Sequence, residues 1–223
     1  MNDSQHLFPD SMSLKLRQSG VVAVLVIDDP DHAAPLAKTL FENGIGAMEL
    51  TLRTPAAVAA LKAVRAEVPE MLAGIGTILT PDQVREVADA GAEFGVSPGM
   101  NPRVVRAARE IGLPFAPGIA TPSELENAIE EGCRTVKFFP AATLGGVPHL
   151  KSMASPYAHL GIQYIPLGGV NLGNLAAYLG EDSVPAVGGS WIATRNLIND
   201  ENWKEIAANA SEARRAVDDI RGM

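Results

Sequence analysis

Short apolar, β-branched segments recur along the chain at a nearly constant step, and this period limits the fold more than any other feature. They begin near Val21, Ala47, Leu72, Phe94, Pro114, Thr135, Gln163 and Val184, so successive starts lie 26, 25, 22, 20, 21, 28 and 21 residues apart. Each step holds one strand, one helix and little else. Thr54-Pro55, Thr80-Pro81, Asn101-Pro102 and Thr121-Pro122 each follow a strand and set a capping side chain before a proline. That order reads as an N-cap with Pro at the first helical position. Gly44, Gly91, Gly112, Gly132 and Gly180 close amphipathic runs, where a left-handed cap is expected. Apolar spacing predicts helices over 31–41 and 55–68.

Eight strand–helix units call for eight parallel strands. The expected architecture is a (β/α)8 barrel, with an open doubly wound sheet as the alternative. No G-x-G-x-x-G fingerprint follows the first strand, which continues Val26-Ile27-Asp28-Asp29-Pro30. Residues 1–223 are expected to form one domain with a barrel core over about 21–192. Residues 11–19 read as a helix that plugs the barrel bottom. Residues 201–220 read as a C-terminal helix with Ala207, Ala210, Ala213 and Val217 on one side.

Composition fits this architecture and excludes several partners. Hydrophobic residues make up 47% of the chain but aromatics only 5%, so the core must rely on branched aliphatics, the usual filling of a barrel. The net charge is −8 with scattered Lys and Arg. That argues against a nucleic-acid backbone, which needs a basic stripe, and against an anionic membrane surface. Cys133 is the single cysteine, so no intrachain disulfide forms. The first twenty residues hold no apolar run of signal-peptide length, and the run 21–27 is too short to span a bilayer. The chain is expected in the cytoplasm.

Of six lysines, five fall in segments that read as exposed helix or loop. Lys137 instead sits in Thr135-Val136-Lys137-Phe138-Phe139-Pro140, the sixth strand. Period-2 alternation puts Thr135, Lys137 and Phe139 on one face. If Val136 and Phe138 meet the helices, Lys137 points into the barrel. Apolar surroundings favour a neutral amine, the form that attacks a carbonyl. The competing reading is a strand-end lysine that snorkels to solvent.

In the second strand Glu49, Thr51 and Arg53 share a face. A guanidinium at a strand end suits bidentate grip of a carboxylate, and Glu49, deeper in the barrel, suits proton transfer through water. A structural Glu49–Arg53 or Glu49–Lys137 ion pair is the alternative. Gly168-Gly169 and Gly188-Gly189-Ser190 end the seventh and eighth strands, where barrel enzymes often hold phosphate on backbone N–H groups. Tight turns alone would also use such glycines. Thr77, closing Gly74-Ile75-Gly76-Thr77, is a candidate to help Arg53 hold a carboxylate. Ser97-Pro98-Gly99 reads as a rigid turn. The four histidines have no metal-site spacing, and His149 and His159 read as surface residues. Cys133 reads as a small buried residue.

Glu49-Leu50-Thr51-Leu52-Arg53-Thr54, Gly76-Thr77, Ser97-Pro98-Gly99, Lys137-Phe138-Phe139-Pro140-Ala141, Gly168-Gly169 and Gly188-Gly189-Ser190-Trp191, in that order, resemble the 2-keto-3-deoxy-6-phosphogluconate and 4-hydroxy-2-oxoglutarate aldolases. The resemblance implies a class I aldolase, with Lys137 as the Schiff-base lysine and Glu49 as general acid/base. It implies that Arg53 and Thr77 bind the keto-acid carboxylate and that Pro98 and Phe139 shape the pocket. Gly168, Gly169, Gly189 and Ser190 would take the phosphate of the aldehyde half. It also implies a homotrimer that needs no metal or other cofactor. Two positions depart from the family pattern: Leu167 stands where threonine is common, and Ala142 where an acidic residue is common. The residues alone also admit a phosphosugar isomerase or epimerase, or a barrel that binds a phosphometabolite without turnover.

Overall fold

The computed structural model describes residues 7–222. Helix α1 (Asp10–Ser19) precedes β1 (Val21–Leu25). Then follow α2 (Ala33–Glu42), β2 (Ala47–Thr51), α3 (Ala57–Glu67), β3 (Leu72–Gly76), α4 (Pro81–Asp89), β4 (Phe94–Val96) and α5 (Pro102–Ile111). The fifth repeat carries two strand pieces, β5 (Phe115–Ala116) and β6 (Gly118–Ile119), before α6 (Pro122–Glu130), β7 (Thr135–Phe138) and α7 (Gly146–Ala154). The chain ends with β8 (Gln163–Pro166), α8 (Leu172–Leu179), β9 (Val187–Gly189), α9 (Arg195–Asn199) and α10 (Trp203–Arg221).

All strand pairs are parallel. They run β5-β4-β3-β2-β1-β9 in one sheet and β6-β7-β8 in another. A Leu167–Gly188 bridge joins β8 to β9, and the chain itself joins β5 to β6, so the ring closes. Pro117 causes the break in the fifth stave because it has no N–H to donate. Its carbonyl still accepts the Lys137 N–H at 2.9 Å, which carries the ladder across. The ring is the barrel that the strand–helix period predicts.

Two shells of apolar residues hold it. Inside the ring, Val22, Ala47, Leu72, Phe94, Ala116, Ile165 and Ala186 meet Phe8 and Leu16. Leu16 is 1% exposed, so α1 plugs the N-terminal end of the barrel as expected. Outside the ring, a larger aliphatic shell packs strands on helices. On α10 the buried stripe is Ile206, Ala210, Ala213 and Val217; Ala207 is only half-buried.

Local signals held with three exceptions. Thr80 and Thr121 form full capping boxes, and Asn101 caps α5. Thr54 does not cap α3, which starts two residues after Pro55; its hydroxyl donates instead to the Ile27 carbonyl in the loop after β1. Gly44, Gly91, Gly112 and Gly132 are left-handed, but Gly180, at φ −73°, is not. The eighth stave starts at Val187 rather than Val184, because the Val184 N–H turns back to the Glu181 carbonyl. No helix of the described residues is long and apolar enough to cross a membrane.

Candidate active site

In β2 the pleat turns Met48 and Leu50 toward the helices and Ala47, Glu49 and Thr51 into the barrel. Thr51 is satisfied there by donating to the Leu25 carbonyl at 3.0 Å. In β7, Val136 and Phe138 join the outer shell, which leaves Thr135 and Lys137 inward. The other five lysines are exposed. Lys137 and Glu49 therefore meet inside the ring from staves that lie four steps apart in either direction.

Lys137 Nζ stands 3.1 Å from Glu49 Oε1 and 3.4 Å from Oε2, with the two residues 6% and 2% exposed. Two opposite charges in an apolar barrel are tolerable only as such a pair. The geometry also makes Glu49 the immediate acceptor for a proton leaving the Lys137 ammonium. Glycine at position 76 permits it: a Cβ there would lie 1.7 Å from Glu49 Oε1. The Phe139 ring flanks the amine, with its centroid 5.5 Å from Nζ.

Above the pair, at the C-terminal ends of the strands, opens a cavity of about 220 Å³. Every candidate from the sequence lines it: Glu49, Arg53, Thr77, Pro98, Lys137, Phe139, Gly168, Gly169, Gly189 and Ser190. Arg53 is exposed and has no ion-pair partner among the described residues. Thr77 holds φ at 63°, a left-handed conformation costly for a β-branched residue and typical of functional turns. Pro98 is set by the Ser97 hydroxyl, which donates to the Gly99 carbonyl at 2.7 Å. Gly168 and Gly169 have φ of 92° and 77°.

The cavity wall also includes Val24, Val26, Thr51, Leu167, Val170 and Gly188. Val24 and Val26 were not singled out, since a valine in a barrel strand reads as core. Leu167 fills the space that Gly188 leaves, where a Cβ would lie 2.4 Å from its Cγ. A larger cleft of about 410 Å³, bounded by Leu150, Tyr157, Tyr164 and Ser183, lies elsewhere and contains none of the candidates.

One residue differs in detail from expectation. His159 is exposed, but His149 is half-buried and stacks on Phe138 with centroids 5.9 Å apart, because α7 folds back over β7. Cys133 is buried, and desolvation pushes its thiol up to about 12, too high for a nucleophile. Among the described residues no three His, Cys, Asp or Glu side chains cluster in a way that could hold a metal ion.

Known proteins resemble this chain in sequence and in fold. The family model for KDPG and KHG aldolase matches residues 12–209. The 2-dehydro-3-deoxy-phosphogluconate aldolase of Haemophilus influenzae is 42% identical over 192 residues, 86% of this chain and 90% of that protein. The KHG/KDPG aldolase of Escherichia coli K12 is 40% identical over 193 residues, again 86% and 90% of the two chains. A KDPG aldolase from Legionella pneumophila, solved with pyruvate captured as a covalent carbinolamine, superposes with a TM-score of 0.84 at 38% identity, covering 89% of this chain and 96% of that one. By sequence and by fold, the chain belongs to the KDPG and KHG aldolase family.

Proposed function

We propose that this protein is a class I aldolase that cleaves 2-keto-3-deoxy-6-phosphogluconate to pyruvate and glyceraldehyde 3-phosphate, and 4-hydroxy-2-oxoglutarate to pyruvate and glyoxylate, through a Schiff base on Lys137. The observation that carries this reading is the buried Lys137 amine, 3.1 Å from Glu49, under a cavity at the barrel's C-terminal end. The carbinolamine captured in the Legionella pneumophila relative is the first adduct that such chemistry requires.

The proposed steps run as follows. Glu49 takes a proton from the Lys137 ammonium, and the freed amine attacks C2 of the keto acid. The carbinolamine hydroxyl takes the proton that Glu49 now holds and leaves as water, which frees the Glu49 carboxylate and gives an iminium that acts as an electron sink. Glu49 then removes the C4 hydroxyl proton through water. The C3–C4 bond breaks, its electron pair moves toward the iminium nitrogen, and the aldehyde leaves. The enamine takes a proton at C3, and hydrolysis returns pyruvate and Lys137. Arg53 and Thr77 bind the keto-acid carboxylate, and Pro98 and Phe139 shape the wall. Gly168, Gly169, Gly189 and Ser190 receive the phosphate on backbone N–H groups and one hydroxyl. The working form is a cytoplasmic homotrimer of one-domain subunits, which light scattering checks for subunit number.

Borohydride trapping with pyruvate, followed by peptide mass spectrometry, tests the central claim. The expected product is a reduced pyruvyl adduct on Lys137. A folded protein that gives no adduct under conditions that trap a known aldolase would overturn it and favour isomerase chemistry with Lys137 as an electrostatic clamp.

A further inference from the structure

Three consecutive peptide groups wrap the far end of the cavity. The carbonyl of each is held from behind. That of Leu167 accepts the Ala141 N–H at 2.7 Å, and that of Gly168 accepts the Ala142 N–H at 2.9 Å. That of Gly169 accepts Asn174 Nδ2 at 2.9 Å, with Asn171 Nδ2 farther off at 3.4 Å. In a trans peptide the N–H points opposite to the carbonyl. The partner N–H groups belong to Gly168, Gly169 and Val170, all of which line the cavity. The Gly168 N–H turns toward Gly188 in the bridge that joins β8 to β9, whereas those of Gly169 and Val170 donate to no acceptor among the described residues. The first two carbonyls are fixed by backbone, and the third by side chains.

The orientation of the Asn174 amide is not arbitrary. Its Oδ1 accepts the Asn171 N–H at 2.9 Å, which leaves Nδ2 as the end that faces the Gly169 carbonyl. One side chain thus caps α8 and clamps the last peptide of the turn.

We propose that Asn174 is a positioning residue for the aldehyde end of the substrate: by holding the Gly169 carbonyl it aims the Val170 N–H, beside that of Gly169, at the terminal phosphate. The proposal rests on the reading that this turn receives phosphate. It adds Val170 as a backbone donor and gives an asparagine outside the cavity control over selectivity. Loss of one hydrogen bond to a charged group should cost the phosphorylated substrate about tenfold in affinity. A substrate whose aldehyde half carries no phosphate should be indifferent.

The test compares kcat and KM for 2-keto-3-deoxy-6-phosphogluconate and 4-hydroxy-2-oxoglutarate in wild type, Asn174→Ala and Asn174→Asp, with inorganic phosphate as a competitor. Asn174→Asp keeps an acceptor for the Asn171 N–H, so the cap survives if the alanine variant folds poorly; raised ionic strength screens its added charge. Thr121→Ala, which breaks a cap on α6, controls for lost stability. The expected result is a KM about tenfold higher for the phosphorylated substrate alone, kcat little changed, and phosphate inhibition weakened in parallel. Equal losses on both substrates, or no loss, while phosphate still competes in every variant, would overturn the role of Asn174 alone. Failure of phosphate to compete in wild type would overturn the phosphate reading and this proposal with it.

Discussion

Gly76→Ala is the sharpest perturbation that the site offers, because it moves the carboxylate proposed to carry protons without replacing it. The added Cβ would sit 1.7 Å from Glu49 Oε1, 2.5 Å from Cδ and 2.8 Å from Cγ. Ordinary contact needs about 3.5 Å, so the carboxylate must retreat by nearly 2 Å. From a starting separation of 3.1 Å it then leaves hydrogen-bond reach of Lys137. Positioned acid–base catalysis is worth about 10² to 10⁴ in rate, and a misplacement of about 1 Å can cost about 10². We therefore expect kcat for pyruvate release to fall about 100-fold, equivalent to about 2.7 kcal/mol, with the fold intact by circular dichroism. Borohydride should still label Lys137, more slowly. The contrast is Gly74→Ala in the same strand, whose Cβ meets the Phe94 ring at 2.4 Å in the barrel floor. That change should cost about 1–3 kcal/mol of stability through overpacking. A folded Gly76→Ala enzyme with kcat within about threefold of wild type would refute the claim that Glu49 must stand where it does.

Other expectations follow from features away from the amine. Hydrogen bonds from Arg195 and then Asn199 hold the Asp28 carboxyl down at about 2, against an ordinary 3.8, with burial opposing. A lowered folded-state value adds stability above the ordinary one and loses it as pH falls through the folded one. Asp28→Asn should therefore melt below wild type at pH 7 and converge with it between about pH 4 and pH 2 in a series of thermal scans. The Cys133 thiol, pushed up to about 12 by burial, should resist iodoacetamide in the native protein at pH 8 and react once the chain is unfolded, as mass spectrometry would read. Leu167→Thr puts a hydroxyl against the cavity. It should raise the preference for glyceraldehyde 3-phosphate over an aldehyde without a 2-hydroxyl up to about tenfold in kcat/KM, at a cost of about 1–2 kcal/mol from lost packing.

Much of this site could be read before any coordinates because a strand's alternation is rigid. Once Val136 and Phe138 are assigned to the helices, Lys137 has nowhere to go but inward, and the same rule carries Glu49 from Leu50. The Lys137–Glu49 contact itself was one of two pairings the residues allowed for Glu49. Only the ring, which sets β2 opposite β7, chooses between them. Thr54 was misread because a threonine before proline looks like a cap whether its hydroxyl turns to its own helix or to a neighbouring loop. Val187 was displaced because residues 184–186 are as apolar as the strand they precede. Asn174 was invisible for a related reason. An asparagine in a first helical turn satisfies local rules completely, so nothing in its neighbours announces a second bond to a carbonyl five residues upstream.

Lys137 and Glu49 are 88 residues apart in the chain, and they meet across the full width of a closed ring. Neither half of the chain can make the pair alone. The amine meets its carboxylate partner where the ring sets β2 opposite β7, and we expect that arrangement to need the β9–β1 seam shut. Turnover is thus a built-in gauge of ring closure. During refolding, pyruvate release should return no sooner than amide protection of that seam, well after apolar surface has left water.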